Sequence, residues 1–331
     1  MTLGTGVGSM PGEDLETSLK IVLDAFASEG VPYLPELPAR GVGSDMVGRT
    51  LALVTGIGVD LQPAGWRITD APGVDVRRAV SRLDQDLDVL EEQTQGHTGA
   101  FKIQVCGPWT RSATVEKPRG DKVLSDFGAR RDLAQALAEG VRGHVRDVRR
   151  RMSGVDRLVV QVDEPALAAV MGGGVPTASG FGRHRTVHPP EASEHLEWLF
   201  AAITDEGAEP WVHACAPETP LALLRGAGAR GLSVDVNVLD GAGHQALGEA
   251  LEAGETAVLG VVPALGADAA ADLTDTVLTE RVLRWLDMLG LDPETVAPHL
   301  VVSPACGLAG ATGEWARRAL ALSRTTAANL G

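Results

Sequence analysis

The chain has 331 residues, 44 % of them apolar and 22 % charged, an ordinary globular balance with length enough for a large core. Its formal charge of −15 argues against nucleic-acid and anionic-membrane partners, and no run of about 18 apolar residues is present to span a bilayer. Three cysteines, at 106, 215 and 306, are odd in number and far apart, which points away from a disulfide framework and toward a reducing, cytoplasmic setting. The N-terminus, MTLGTGVGSMPGEDLETS, lacks a basic start followed by an apolar core, so no signal peptide is expected.

In chain order, a strand is expected at 4–9 and a helix at 13–28, then a strand at 31–36. An excursion over 40–75 leads to a helix at 76–94, where Val76, Val80, Leu83, Leu87 and Leu90 recur at helical spacing. Strand 101–106 and helix 122–152 follow, then strand 157–163 and a glycine-rich segment over 168–189, expected to be either a mobile lid or a plain insertion. The remaining pairs are helix 191–206 with strand 210–215, helix 218–227 with strand 231–236, and helix 243–253 with strand 256–262. Helix 270–289, strand 299–304 and helix 313–329 complete the chain. Strand–helix alternation repeated eight times predicts an α/β fold, a (β/α)₈ TIM barrel forming a single domain over 1–331 with loop insertions. A doubly wound open sheet is the rival, but no G-x-G-x-x-G follows any expected strand.

In a barrel of this type chemistry gathers at the C-terminal ends of the strands. Those ends read Gly8-Ser9, Glu36, Cys106, Asp163-Glu164, His213 with Cys215, Asp235, Val262 and Cys306. His213 and Cys215 lie two apart on one strand, so imidazole and thiolate face the same side. Cys306 follows the last strand, and Asp235 ends the strand between. One imidazole, two thiolates and a carboxylate suit Zn²⁺ and suit calcium or magnesium poorly. Cys106, before Gly107-Pro108-Trp109-Thr110, reads as a packed thiol.

Val7-Gly8-Ser9-Met10-Pro11, Pro35-Glu36-Leu37-Pro38 with Asp45-Met46-Val47, the run from Gln161 through Asp163-Glu164-Pro165 to Leu167, His213-Ala214-Cys215, and Ser303-Pro304-Ala305-Cys306-Gly307-Leu308 occur over nearly the whole chain. In that order they resemble the C-terminal catalytic half of cobalamin-independent methionine synthase, here as a stand-alone core. The resemblance implies a zinc methyltransferase that converts homocysteine to methionine. It implies zinc ligation by His213, Cys215 and Cys306, with Asp235 standing where the family has a glutamate and Asn237 as fallback. It also implies that Gly8 and Ser9 hold the substrate carboxylate while Glu36 and Asp163 grip its ammonium group.

The chain departs from the family at the turn after the seventh strand, where Gly260-Val261-Val262-Pro263-Ala264-Leu265 offers no acid. The methyl donor is therefore open between a methylfolate and a methyl-corrinoid, the latter brought by a corrinoid protein. His184 and His188 in the glycine-rich segment are candidate acids or plain surface histidines. Trp109 either stacks on a flat donor or caps the barrel. Three rival readings are alkyl transfer to another thiol such as coenzyme M, a uroporphyrinogen decarboxylase-like barrel, and a structural zinc protein. The paired acids Glu36 and Asp163 count against a sulfonate thiol.

Overall fold

A computed structural model describes residues 1–266 and 272–331. Eight parallel strands form one sheet: β1 (Leu3–Thr5), β2 (Gly30–Val31), β5 (Gly99–Cys106), β6 (Val155–Asp163), β7 (Glu209–Ala214), β8 (Gly231–Asp235), β9 (Thr256–Val262) and β10 (Leu300–Pro304). Their order is β2-β1-β10-β9-β8-β7-β6-β5. The two ends of that sheet meet. Lys102 N–H donates to Pro32 O at 2.8 Å, Leu34 N–H donates to Lys102 O at 3.1 Å, and Tyr33 pairs in parallel with Lys102. The sheet is thus a closed barrel and not an open doubly wound one.

β1 and β2 are shorter than the expected 4–9 and 31–36. Beyond them the chain stays extended but pairs only at single points, Ser9 with Glu36 and Tyr33 with Lys102. Helices ring the barrel. The largest are α1 (Leu15–Phe26), α3 (Val74–Gln93), α5 (Phe127–Arg151), α7 (Pro189–Asp205), α9 (Gly241–Glu252), α10 (Asp275–Leu289) and α12 (Gly313–Leu330). Their starts are set by side-chain caps: Asp14, Asp126, Asp240, Thr274 and Thr312 each accept a first-turn backbone N–H. Asp126 therefore begins α5 after a 3₁₀ turn at Val123–Ser125, later than the expected 122. The start of the expected helix 270–289 lies partly outside the described residues. No helix among the described residues is long and apolar enough to cross a membrane.

The excursion over 40–75 holds a short helix α2 (Met46–Leu51) and an antiparallel hairpin of β3 (Gly58–Gln62) and β4 (Gly65–Thr69). The hairpin was not expected. Its apolar residues pack with Leu51, Val54, Val76, Val115, Val123 and Leu133 in a second core outside the barrel wall. On α3 the buried stripe is Val76, Ala79, Leu83, Asp86, Leu87 and Leu90, and Val80 is exposed. Asp86 replaces an apolar residue there because it pairs with Arg40 at 2.6 Å and with buried Arg49 at 3.2 Å. The glycine-rich segment carries a one-turn helix α6 (Leu167–Met171) and a bridge between Pro176 and Arg183. His184 Nε2 rests 3.1 Å from Asp121 Oδ1.

Candidate active site

Strand β7 presents His213 and Cys215 on one side, as their spacing requires. Cys306 arrives just after β10, and one ligand atom from each of the three lies within 4.8 Å of the others. Ser233, beside His213 in the β7–β8 register, places its hydroxyl 2.9 Å from Nδ1. The other ring nitrogen, Nε2, is buried and has no hydrogen-bond partner. The two thiol sulfurs are 2.7 Å apart. The Cys215 thiol beside it holds Cys306 down at about 4 against its burial, with the His213 ring adding to the effect, and Cys215 is pushed above its ordinary range by the same contact.

A buried imidazole nitrogen without a partner beside two close sulfurs is a donor set for a soft or borderline cation. Two sulfurs on one tetrahedral zinc at about 2.3 Å each would stand about 3.8 Å apart, against 2.7 Å here, so the pair would have to open by about 1 Å to hold the ion. These residues fit zinc.

Asp235 is not in the group. Its Oδ1 accepts from Asn237 N–H at 2.9 Å and from Asn237 Nδ2 at 2.8 Å, capping the 3₁₀ turn Val236–Val238. That Asx turn joins the expected fourth ligand to its fallback. Cys106 is fully buried and outside the group, as a packed thiol should be.

The three residues open into a cavity of about 380 Å³ at the mouth of the barrel. Gly8, Ser9, Glu36 and Asp163 line it too, so the structure gathers every residue expected to hold an amino acid around one space. Ser9 is fixed by Leu308 N–H, which donates to its carbonyl at 3.0 Å, and by a close approach of Gly307. A Cβ at 307 would lie 2.2 Å from Ser9 Oγ. Glu36 is buried, and its Oε1 has no partner. Burial pushes its carboxyl up to about 7 despite nearby Arg49, with Asp45 adding to the rise. Asp163 is likewise pushed well up by burial and then by Glu36, while Gln161 Nε2 donates to its Oδ1 at 2.7 Å. Two buried carboxyls facing one cavity would be returned toward their charged form by a bound cation.

Other expectations fall elsewhere. Trp109 does not reach the cavity: it is fully buried, its ring stacks on His195 at 4.7 Å, and its Nε1 donates to Ala192 O at 3.0 Å. Glu164 faces away from the cavity and accepts from Trp109 N–H, Thr110 N–H and Thr110 Oγ1, capping α4 (Pro108–Thr114). His184 and His188 do not line the cavity among the described residues. Conversely, Pro38, Asp45, Met46 and Val47 form one wall without having been assigned a role. Lys102 and Gln161 beneath the floor were also missed.

The profile of the family described as Cobalamin-independent synthase, Catalytic domain matches residues 3–329. No curated protein matches the chain. Among solved structures, a B12-independent methionine synthase from Shewanella sp. W3-18-1, in complex with selenomethionine, is similar with a TM-score of 0.63. It is 14 % identical, and the match covers 99 % of this chain and 97 % of that one. A 2,3-dimethylmalate lyase of the PEP mutase/isocitrate lyase superfamily is 11 % identical over 90 % of this chain and 76 % of its own, with a TM-score of 0.37. The barrel with its helices is the fold shared with the first of these. With the profile covering almost its entire length, the chain belongs to the cobalamin-independent methionine synthase catalytic-domain family and is a methyltransferase of that kind.

Proposed function

We propose that this protein transfers a methyl group to the thiol of homocysteine, giving methionine, with a zinc ion held by His213, Cys215 and Cys306. The observation that carries the proposal is the single cavity that joins this N,S,S donor set to the partnerless carboxylate of Glu36 and to Asp163. Asp235 is left out of the proposed ligand set because it stands outside the His213, Cys215 and Cys306 group and its Oδ1 accepts two hydrogen bonds from Asn237. Three protein ligands leave a coordination position for an exchangeable group, as catalytic sites require and closed structural sites do not. When bound, zinc supplies the Lewis acidity that keeps a thiol deprotonated near neutral pH.

The chain's own residues do the placing. Glu36 and Asp163 receive the substrate ammonium, which returns both carboxyls toward their charged form. Ser9 and the Gly8 backbone take the carboxylate. The thiol then points toward Cys215 and Cys306, and Ser233 holds the His213 ring in its orientation. In the transfer, the thiol proton is lost to solvent before attack, the sulfur–methyl bond forms as the donor–methyl bond breaks, and the departing folate nitrogen takes up a proton from solvent. A methylated folate is the donor proposed. An ammonium-binding pair of acids favours an amino-acid thiol over a sulfonate thiol, which they would repel.

Zinc content of wild type and Cys306→Ala, with the Zn K-edge recorded before and after adding homocysteine, tests the reading. One zinc per chain, lost in the variant, and a gain of sulfur scattering with the thiol are expected. A zinc-free wild type, or a metal shell that ignores homocysteine, would refute it.

A further inference from the structure

Beneath the cavity floor the barrel interior is polar. Lys102 projects inward from β5 and is fully buried. Its ammonium donates to Val7 O at 2.7 Å and to Gln161 Oε1 at 2.8 Å, and lies 5.0 Å from the centre of the Tyr33 ring. The Gln161 amide nitrogen donates onward to Val7 O at 2.7 Å and to Asp163 Oδ1 at 2.7 Å. A buried ammonium costs several kcal/mol unless paired, so its presence needs a reason.

The geometry points to Lys102 as a positioning residue for amino-acid recognition. It fixes the polarity of the Gln161 amide, which in turn aims the Asp163 carboxylate at the substrate ammonium. An ammonium has donors only, so the amide oxygen must face Lys102 and the amide N–H groups must face Val7 O and Asp163. Without that constraint the amide is free to turn over and present its oxygen to Asp163, which then loses its one side-chain donor.

This inference rests on the proposed amino-acid thiol substrate, so its test uses two thiols. Homocysteine carries the ammonium; 4-mercaptobutanoate is the same molecule without it. Binding and steady-state kinetics are measured for wild type, Lys102→Met, Gln161→Met and the double variant. Lys102→Met is expected to raise the homocysteine KM tenfold or more, with kcat at saturation within about threefold. Affinity for 4-mercaptobutanoate should be unchanged, and the double variant should be no worse than the worse single one. Equal loss for both thiols, or an unchanged homocysteine KM, would overturn the positioning role. If Lys102→Met does not fold, Gln161→Met alone must show the loss selective for homocysteine, and failing that the inference is wrong. A wild-type protein that binds neither thiol refutes the parent reading instead, and this inference with it.

Discussion

Ser233→Ala isolates the support of the metal centre from its ligands. The Ser233 hydroxyl is buried and 2.9 Å from His213 Nδ1, and among the described residues no other side chain contacts that nitrogen by a hydrogen bond. Removing it leaves a ring nitrogen in the barrel wall without a partner, at a cost of about 1–3 kcal/mol. It also frees the ring to rotate away from Cys215 and Cys306. Loss of such an outer partner costs roughly 10–100-fold in metal affinity, or about 1.4–2.7 kcal/mol, a figure of the same size. Competition against a chromophoric zinc chelator measures the affinity directly, and a melt of the zinc-free protein measures the apo cost separately. A Ser233→Ala affinity within about twofold of wild type would show that the serine does not orient the ring for metal.

Three further outcomes follow from the geometry. Gly307→Ala puts a Cβ 2.2 Å from Ser9 Oγ and should cost about 1–3 kcal/mol in urea melts, recovered in part by adding Ser9→Gly. Asp86→Ala leaves Arg49 buried and unpaired beside the cavity, which should lower stability by about 3–5 kcal/mol, read by the same melts. Burial holds the Glu36 carboxyl at about 7, above its unfolded value of 4.5, so the native state keeps a proton that the unfolded chain has released. Its contribution is present below the unfolded value and lost as pH rises through about 7. Apo stability should therefore fall by about 3 kcal/mol over that window, and Glu36→Gln should flatten the slope.

The metal group was legible because it rests on strand periodicity. His213 and Cys215 share a face at a spacing of two, and barrel closure brings the end of β10 to the same mouth. Asp235 stands outside the group, and the local chemistry that places it was open to reading: an aspartate two residues before an asparagine closes an Asx turn. The β3–β4 hairpin was legible in principle. Val59 and Leu61, then Trp66 and Ile68, alternate on either side of Pro63-Ala64, but the segment was read as a connection. Lys102 escaped notice because β5 reads as a continuous buried strand. Phe101, Ile103 and Val105 turn outward to the helices, and it is the intervening Lys102 and Gln104 that face the barrel axis. Two-sided burial hides which side is polar until the sheet closes.

Asp45, Met46 and Val47, in one wall of the cavity, come from the excursion that also carries the hairpin. Much of that excursion's apolar surface, Val47, Leu51, Val54, Val59, Leu61 and Trp66, settles in the second core, while Ala52 and Leu53 pack on the main one. The groups proposed to hold metal and amino acid stand at the ends of barrel strands, and this wall belongs to a segment under other packing constraints. Its shape is open to change by rewriting one contiguous stretch of chain, while the strands that carry His213 and Cys215 keep their sequence.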